Sequence, residues 1–291
     1  MEQSSADGLG LLVDPTGREP RCAVLVLSGS SGRLEVARAR RLAAHGAVAA
    51  TMRYFGGPGQ PPGLCEVALE TFAPHLDQLA QRSDHLAIWG ASKGAEAALL
   101  LAAADPRVRS VVAVAPTSHV WANVGPGHDG RERPWRSSWT REGRPLPFLP
   151  LVEDWEVTDQ VRSPDGGVAV RGWYQASLEA AGAAELQAAA IPVDTIEARV
   201  LLAAGCDDRV WPSVDFADRV AARRGEHGRE TTVLVGDGAG HRVLLPGEPP
   251  HSGDGRGLDR GGTAHDDAEL GARLWHAGLD MLDLDDRPVG H

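Results

Sequence analysis

Gly90-Ala91-Ser92-Lys93-Gly94 holds a serine between two glycines, each two residues away. The run before it, "HLAIWG", is apolar, and the run after it, "AEAALLLAAAD", is alanine-rich with helical character. A serine at such a strand-to-helix turn needs small neighbours, because the chain reverses sharply against both elements. The turn lifts the hydroxyl oxygen to the carboxyl edge of a sheet, beside a helix N-terminus that favours developing negative charge. The competing reading is a helix-capping serine in a glycine-rich turn. The strand and helix on either side favour a nucleophile.

A hydroxyl alone attacks poorly and needs a base that is oriented by an acid. With a serine on such a turn, acid and base follow in that order, each just past a later strand. "VLLAAGCDDRVWPS" offers Asp207 and Asp208 after a strand and the turn glycine Gly205. "TTVLVGDGAGHRVL" offers His241 after a strand and a glycine-rich loop. Of the eleven histidines, only His241 has this setting. His45, His75, His85 and His276 fall on or beside regular elements, and structural roles are expected for them, as for His119 and His128.

An oxyanion hole needs two backbone N–H donors. Lys93, directly after the serine, is one candidate. Ser30 or Ser31, in the loop "LSGSSG" after an earlier strand, is the other. That loop lacks the G-K-[ST] ending of a phosphate-binding P-loop. No His, Cys or carboxylate cluster has metal-ligand spacing, and no G-x-G-x-x-G opens a helix after a strand. Neither a metal nor a nucleotide cofactor is expected.

The elements that must position these residues alternate. "CAVLVLSGS", "AVAATMRY", "DHLAIWG", "VRSVVAVAP", "ARVLLAAG" and "TTVLVGDG" read as strands. Helical patterns lie between or after them in "RLEVARARRLAAHG", "LCEVALETFAPHLDQLAQR", "SKGAEAALLLAAADP", "PSVDFADRVAARRG" and "DDAELGARLWHAGLDMLD". Such alternation predicts an α/β fold, a mostly parallel sheet with helices on both faces, formed by residues 1–291 as one domain. The rhythm fails from Thr117 to about Pro192, a region rich in Gly, Pro, Trp and Arg with one helical pattern in "YQASLEAAGAAELQAAA". A long irregular stretch of this kind inside a compact domain predicts a lid or cap. "GEPPHSGDGRGLDRGG" reads as a surface loop.

Composition narrows the function classes. A net charge of −11 argues against nucleic acid as a partner. Apolar runs are too short to span a membrane, and the N-terminus has neither a basic start nor an apolar core. Three scattered cysteines suggest reduced, packed thiols, so a cytoplasmic protein acting on a small molecule is expected. Lys93 is the only lysine in the chain.

"MRYFGGPGQPPGL", "WGASKGAEAALLLA", "VVAVAP", "IPVDTIEARVLLAAGCDDRVWPS", "GAGHRVLLP" and "GGTAHDDAELGARLWHAGLDML" occur in that order. Together they resemble the catalytic domain of the acyl-CoA thioester hydrolases and the bile acid-CoA:amino acid N-acyltransferases, within the α/β-hydrolase superfamily. The resemblance implies Ser92 as nucleophile, His241 as base and Asp208 as acid, since its G-x-x-D-x-x-x-P phrase matches Gly205, Asp208 and Pro212. It implies Tyr54 and Phe55 of the Tyr-Phe-Gly-x-Pro-Gly loop as substrate-binding residues. Acyltransferases of this group typically carry cysteine at the nucleophile, so Ser92 implies hydrolysis of an acyl thioester or ester. Transfer to an amine or alcohol acceptor, and dienelactone-type ester or peptide hydrolysis, remain alternatives.

The chain departs from the family pattern in two ways. The N-terminal β-sandwich domain often found in the family is not expected, since about twenty residues precede the first core strand. The lid stretch "GRERPWRSSWTREGRP" gathers Arg131, Arg133, Arg136, Arg141 and Arg144 beside Trp135 and Trp139. Of these, Trp135, Trp139 and Arg136 are expected to bind substrate, with coenzyme A phosphates and adenine as the chemistry that such a patch would suit.

Overall fold

The computed structural model describes residues 1–4, 8–17, 19–249 and 257–285. Its strands and helices are β1 (Glu2–Ser4), β2 (Gly10–Val13), β3 (Cys22–Leu27), α1 (Val36–Ala44), β4 (Ala47–Met52), β5 (Val67–Ala68), α2 (Ala73–Ala80), β6 (Leu86–Ala91), α3 (Lys93–Ala104) and β7 (Val108–Val114). There follow β8 (Trp139–Arg141), β9 (Arg144–Pro145), α4 (Arg171–Ala180), α5 (Ala183–Ala189), β10 (Arg199–Gly205), α6 (Ser213–Glu226), β11 (Thr231–Gly236) and α7 (Ala264–Met281).

Eight strands form the main sheet in the order β1-β2-β4-β3-β6-β7-β10-β11. The six from β4 to β11 run parallel, and β1 and β2 add antiparallel at one edge. The interior strands are apolar on both sides because helices cover both faces. Along β3, Ala23, Leu25 and Leu27 join one core with Leu76, Leu79 and Leu99 of α2 and α3. The alternating Cys22, Val24 and Val26 join the opposite core with Leu42 of α1 and Leu274 and Leu279 of α7. This is the α/β-hydrolase arrangement.

Three local expectations change. The helix expected from Leu64 to Arg82 contracts to α2, preceded by a 3₁₀ turn at Leu69–Phe72. Pro74 suits a helix start, and the upstream backbone is drawn to the lid instead: Leu64 N–H bonds Val124 O (2.9 Å) and Val67 N–H bonds Ser138 O (2.9 Å). The helix expected across 174–190 is two helices, broken at Gly182, whose N–H donates to Glu185 Oε2 at 2.8 Å. The first twenty residues, which carried no expected element, supply β1 and β2. Part of the expected surface loop, residues 250–256, lies outside the described residues.

The region from Thr117 to Pro192 carries more order than its sequence suggests. It holds β8 and β9, which pair with β5 in a second small sheet, then α4 and α5. Its aromatic core, with Trp121, Leu149 and Tyr174, packs on Trp211 and Phe216 from the body of the fold.

Candidate active site

Ser92 lies between β6 and α3 with φ 54° and ψ −122°, a backbone conformation that side chains seldom adopt. Two glycines make the turn possible. A Cβ on Gly90 would stand 2.1 Å from Gly94 O, and one on Gly94 would stand 2.3 Å from Ser28 O. The turn is pinned to the sheet by Ser92 N–H donating to Val114 O at 2.8 Å.

His241 follows β11 in the loop expected for it. The Ser92 hydroxyl lies 2.9 Å from His241 Nε2, and His241 Nδ1 lies 2.8 Å from Asp208 Oδ2. Asp208 is fully buried after β10. Its second oxygen accepts the N–H groups of Val210 (2.9 Å) and Trp211 (3.1 Å), which fixes the carboxylate in place. The imidazole is held from several sides. Its backbone N–H donates to Arg260 O at 2.8 Å, and the Trp211 ring meets it edge-on, with centroids 5.4 Å apart.

Asp207 does different work. Its carboxylate accepts Arg209 Nε (3.0 Å) and Gly262 N–H (2.8 Å), closing the loop against the segment before α7. A Cβ on Gly205 would stand 2.1 Å from Ala239 O, so at that point the two loops carrying Asp208 and His241 pack backbone against backbone. Asp267 accepts Gly240 N–H at 2.8 Å, and its carboxyl is pushed up to about 6, first by burial and then by the nearby Asp266 and Asp207.

Ser30 and Lys93 both line the pocket that holds Ser92. Lys93 is the first residue of α3, where a backbone N–H has no partner within the helix. Ser31 lines a second cleft that Ser92 and Ser30 also border, and its Oγ accepts Arg33 N–H at 3.4 Å. The Lys93 side chain turns away from the serine into the interior. Its ammonium pairs with Glu96 at 2.9 Å and donates to Ser138 Oγ (2.8 Å) and Trp121 O (3.4 Å). Glu96 Oε1 in turn accepts Trp139 Nε1 (2.8 Å) and Trp121 N–H (3.2 Å). The only lysine thus fastens the segments of Trp121, Ser138 and Trp139 to the helix that starts at the serine.

Known proteins similar to this chain show its family and its fold. The family model described as "BAAT / Acyl-CoA thioester hydrolase C terminal" matches residues 70–276, well over half the chain. The chain belongs to that family. Acyl-coenzyme A thioesterase 6 of Mus musculus is 25% identical over 243 residues, covering 81% of this chain and 52% of the mouse protein. Its Homo sapiens counterpart is 25% identical over 270 residues, covering 89% and 59%. The chain therefore spans about half the length of the curated relatives it matches. Among solved structures, the acylaminoacyl peptidase of Pyrococcus horikoshii aligns over 97% of this chain and 40% of its own, with TM-score 0.55 at 9% identity. A dienelactone hydrolase-like promiscuous phosphotriesterase from metagenomic libraries aligns over 98% of both chains, with TM-score 0.51 at 17% identity. These structures share the α/β-hydrolase fold.

In this family member, several residues expected to touch substrate do something else. Tyr54 is buried, and its hydroxyl donates to the carbonyls of Ser28 and Gly29, bracing the loop that carries Ser30 from behind. Phe55 packs edge-on against Tyr54 and under Gly32. Trp139 is fully buried against Tyr54 and Phe72 and spends its N–H on Glu96. Arg136 is tied down by Asp129 (3.0 Å) and Arg131 O (2.6 Å). Arg133 stacks on the Trp135 ring at 3.1 Å, and Arg141 donates to Leu100 O. None of the five lid arginines lines either cavity at Ser92. A nearby carboxylate, carbonyls and a ring engage Arg133, Arg136 and Arg141 locally, which composition alone does not reveal.

Trp135 does line the pocket, together with Trp173, Tyr174 and Trp211. The last three carried no expectation, because nothing in their local sequence marks them and only the lid's packing brings them together. His119 is a buried structural residue, its ring nitrogen paired with Ser118 Oγ at 3.0 Å, and burial lowers it to about 4. His265, Asp266 and Glu269, on the first turns of α7, bring possible ligand atoms within 4.8 Å, a grouping that their spacing did not suggest. Thr263 caps that helix by accepting Asp266 N–H at 3.1 Å, and its hydroxyl donates to Asp266 Oδ2 at 2.6 Å, which accounts for Asp266. No helix among the described residues is long and apolar enough to cross a membrane.

Proposed function

We propose that this protein is a serine hydrolase that cleaves a small-molecule acyl thioester or ester through an acyl-enzyme. The observation that carries the reading is the continuous relay from Ser92 Oγ through His241 to the buried Asp208, at 2.9 and 2.8 Å. Asp208, charged and accepting from His241 Nδ1–H, keeps Nε2 free to take a proton. His241 Nε2 removes the Ser92 proton as Oγ attacks the acyl carbon. The resulting oxyanion is held by the backbone N–H groups of Lys93 and Ser30. As the tetrahedral species collapses, His241 returns the proton to the departing thiolate or alkoxide, leaving the acyl group on Ser92. Water, deprotonated by His241, attacks that ester and releases a carboxylic acid, restoring the serine.

The aromatic pocket of Trp135, Trp173, Tyr174 and Trp211 suits an apolar acyl group. The thioesterase relatives favour a thiol leaving group. The test is free-thiol release from acyl thioesters by wild type and Ser92→Ala, alongside covalent labelling by a fluorophosphonate. Turnover and labelling lost together in Ser92→Ala are expected. Unchanged turnover in that variant would refute the mechanism. Transfer of the acyl group to an added amine in preference to water would replace hydrolysis with acyl transfer at the same serine.

A further inference from the structure

Ser92 stands between two cavities of opposite character. On one side lies the aromatic pocket beneath the lid. On the other, Ser92 and His241 share a cleft with Arg33, Arg38, Arg242 and Arg260, against one lining carboxylate, Glu35. In a chain of net charge −11, four arginines line one cleft with the reacting serine.

The four are not equivalent. Arg38 is compensated: Glu248 takes its Nε at 2.7 Å and its Nη2 at 3.0 Å, and Glu35 approaches at 3.8 Å. Arg33 is exposed, and its guanidinium has no hydrogen-bond or ion-pair partner among the described residues. Arg242 is half-buried, and its affinity for its proton is lowered by burial first and then by the neighbouring charges of Arg33 and Arg38, with the carboxylates of Glu248 and Glu35 acting the other way. Arg260 adds a further guanidinium, while its carbonyl holds His241. The backbone fixes this cluster: Arg242 directly follows His241, and Arg33 follows the loop carrying Ser30. Mutual repulsion between cations beside a catalytic serine is relieved when an anion enters, and guanidinium groups bind phosphate and carboxylate through paired, charge-assisted hydrogen bonds.

We infer that the cleft of Arg33, Arg242 and Arg260 is an anion subsite, binding a phosphate or carboxylate of the substrate across the scissile bond from the aromatic pocket. The inference rests on Ser92 being the nucleophile. It moves anion recognition from the lid, where the sequence suggested it, to the two loops that carry Ser30 and His241.

The experiment compares three thioesters in wild type and Arg33→Glu. One is a neutral N-acetylcysteamine thioester of a short acyl group. The second is the same acyl group on phosphopantetheine, with the anion on the thiol. The third is the N-acetylcysteamine thioester of a dicarboxylic acid, with the anion on the acyl group. Wild type is expected to prefer one anionic substrate over the neutral one by about tenfold or more in kcat/KM, the size of one charge-assisted contact. Which substrate is preferred tells phosphate on the leaving group from carboxylate on the acyl group. The preference is expected to fall below about threefold in Arg33→Glu, whose exposed position makes a folding failure a poor explanation.

Equal turnover of all three by wild type, or a preference that survives Arg33→Glu, overturns the subsite. If a fluorophosphonate does not label Ser92 and no thioester turns over, the hydrolase reading fails separately. Calorimetry with pyrophosphate then decides the cleft alone. Binding weakened about tenfold by Arg33→Glu supports the subsite, and absent or unchanged binding overturns it.

Discussion

Lys93 and Glu96 offer a test of what fastens the lid. Both side chains are withdrawn from water, at 2% and 0% exposure, and their charges meet at 2.9 Å. At the effective dielectric of protein sites, an attraction at that distance is about 6 kcal/mol. Desolvating each ion costs several kcal/mol, so the intact pair contributes little net stability. Removing one partner is a different matter, because the other is left buried and unpaired. Glu96→Gln or Lys93→Met alone is expected to cost about 3–5 kcal/mol, and a domain of this size loses about 2–4 °C in Tm per kcal/mol.

The double variant Lys93→Met/Glu96→Gln is expected to recover most of that loss. The amide oxygen introduced by Glu96→Gln remains an acceptor for Trp139 Nε1 and Trp121 N–H, and the Ser138 hydroxyl keeps Ala122 O as its own acceptor at 2.9 Å. Urea unfolding of wild type, both singles and the double completes the cycle. Singles costing under about 1 kcal/mol, or a double as unstable as the sum of the singles, would refute the claim that this pair is a buried, coupled fastener.

Three further outcomes follow from the geometry. Asp208→Asn is expected to lower kcat on the order of 10⁴-fold by upsetting the imidazole tautomer; Asp207→Asn, whose carboxylate bonds Arg209 and Gly262 rather than His241, is expected to cost less than about tenfold, and steady-state kinetics that reverse this ranking would assign the acid to Asp207. Tyr54→Phe frees the Ser28 and Gly29 carbonyls, so it is expected to lower kcat several-fold with KM little changed; a KM effect alone would mean that Tyr54 meets substrate after all. Asp267 has its folded pKa raised to about 6, above an unfolded value near 4, so its stabilising contribution is present below about pH 4 and lost as pH rises through about 6. The stability of wild type relative to Asp267→Asn should therefore fall between those pH values, and parallel urea midpoints across the window would contradict this.

Much of the fold was legible because its signals are local. Apolar runs such as "CAVLVL" and "ARVLLAAG" become buried parallel strands since nothing but helix-covered sheet interior suits them. Gly90 and Gly94 mark the serine turn because no Cβ fits there, a constraint visible in five residues. The order of Ser92, Asp208 and His241 along the chain was readable for the same reason: each sits one turn past a strand.

Other features depend on segments distant in sequence. Backbone bonds from Leu64 and Val67 to the lid override the helical pattern around them, and β1 and β2 form only because β4 presents an edge. The choice between Asp207 and Asp208 came from family phrasing, while the structure separates them by partner, His241 for one and Gly262 for the other. Arg136, which looked available in a string of cations, is engaged by Asp129 and Arg131 O once the chain turns back. Arg33 and Arg242, more than two hundred residues apart, share a cleft because β3 and β11 both deliver their loops to the same edge of the sheet. Short-range sterics and burial set the nucleophile's turn and the sheet that carries it, so both were written in local sequence. What surrounds the serine came from tertiary packing, because a side chain's partners are set by where the chain returns.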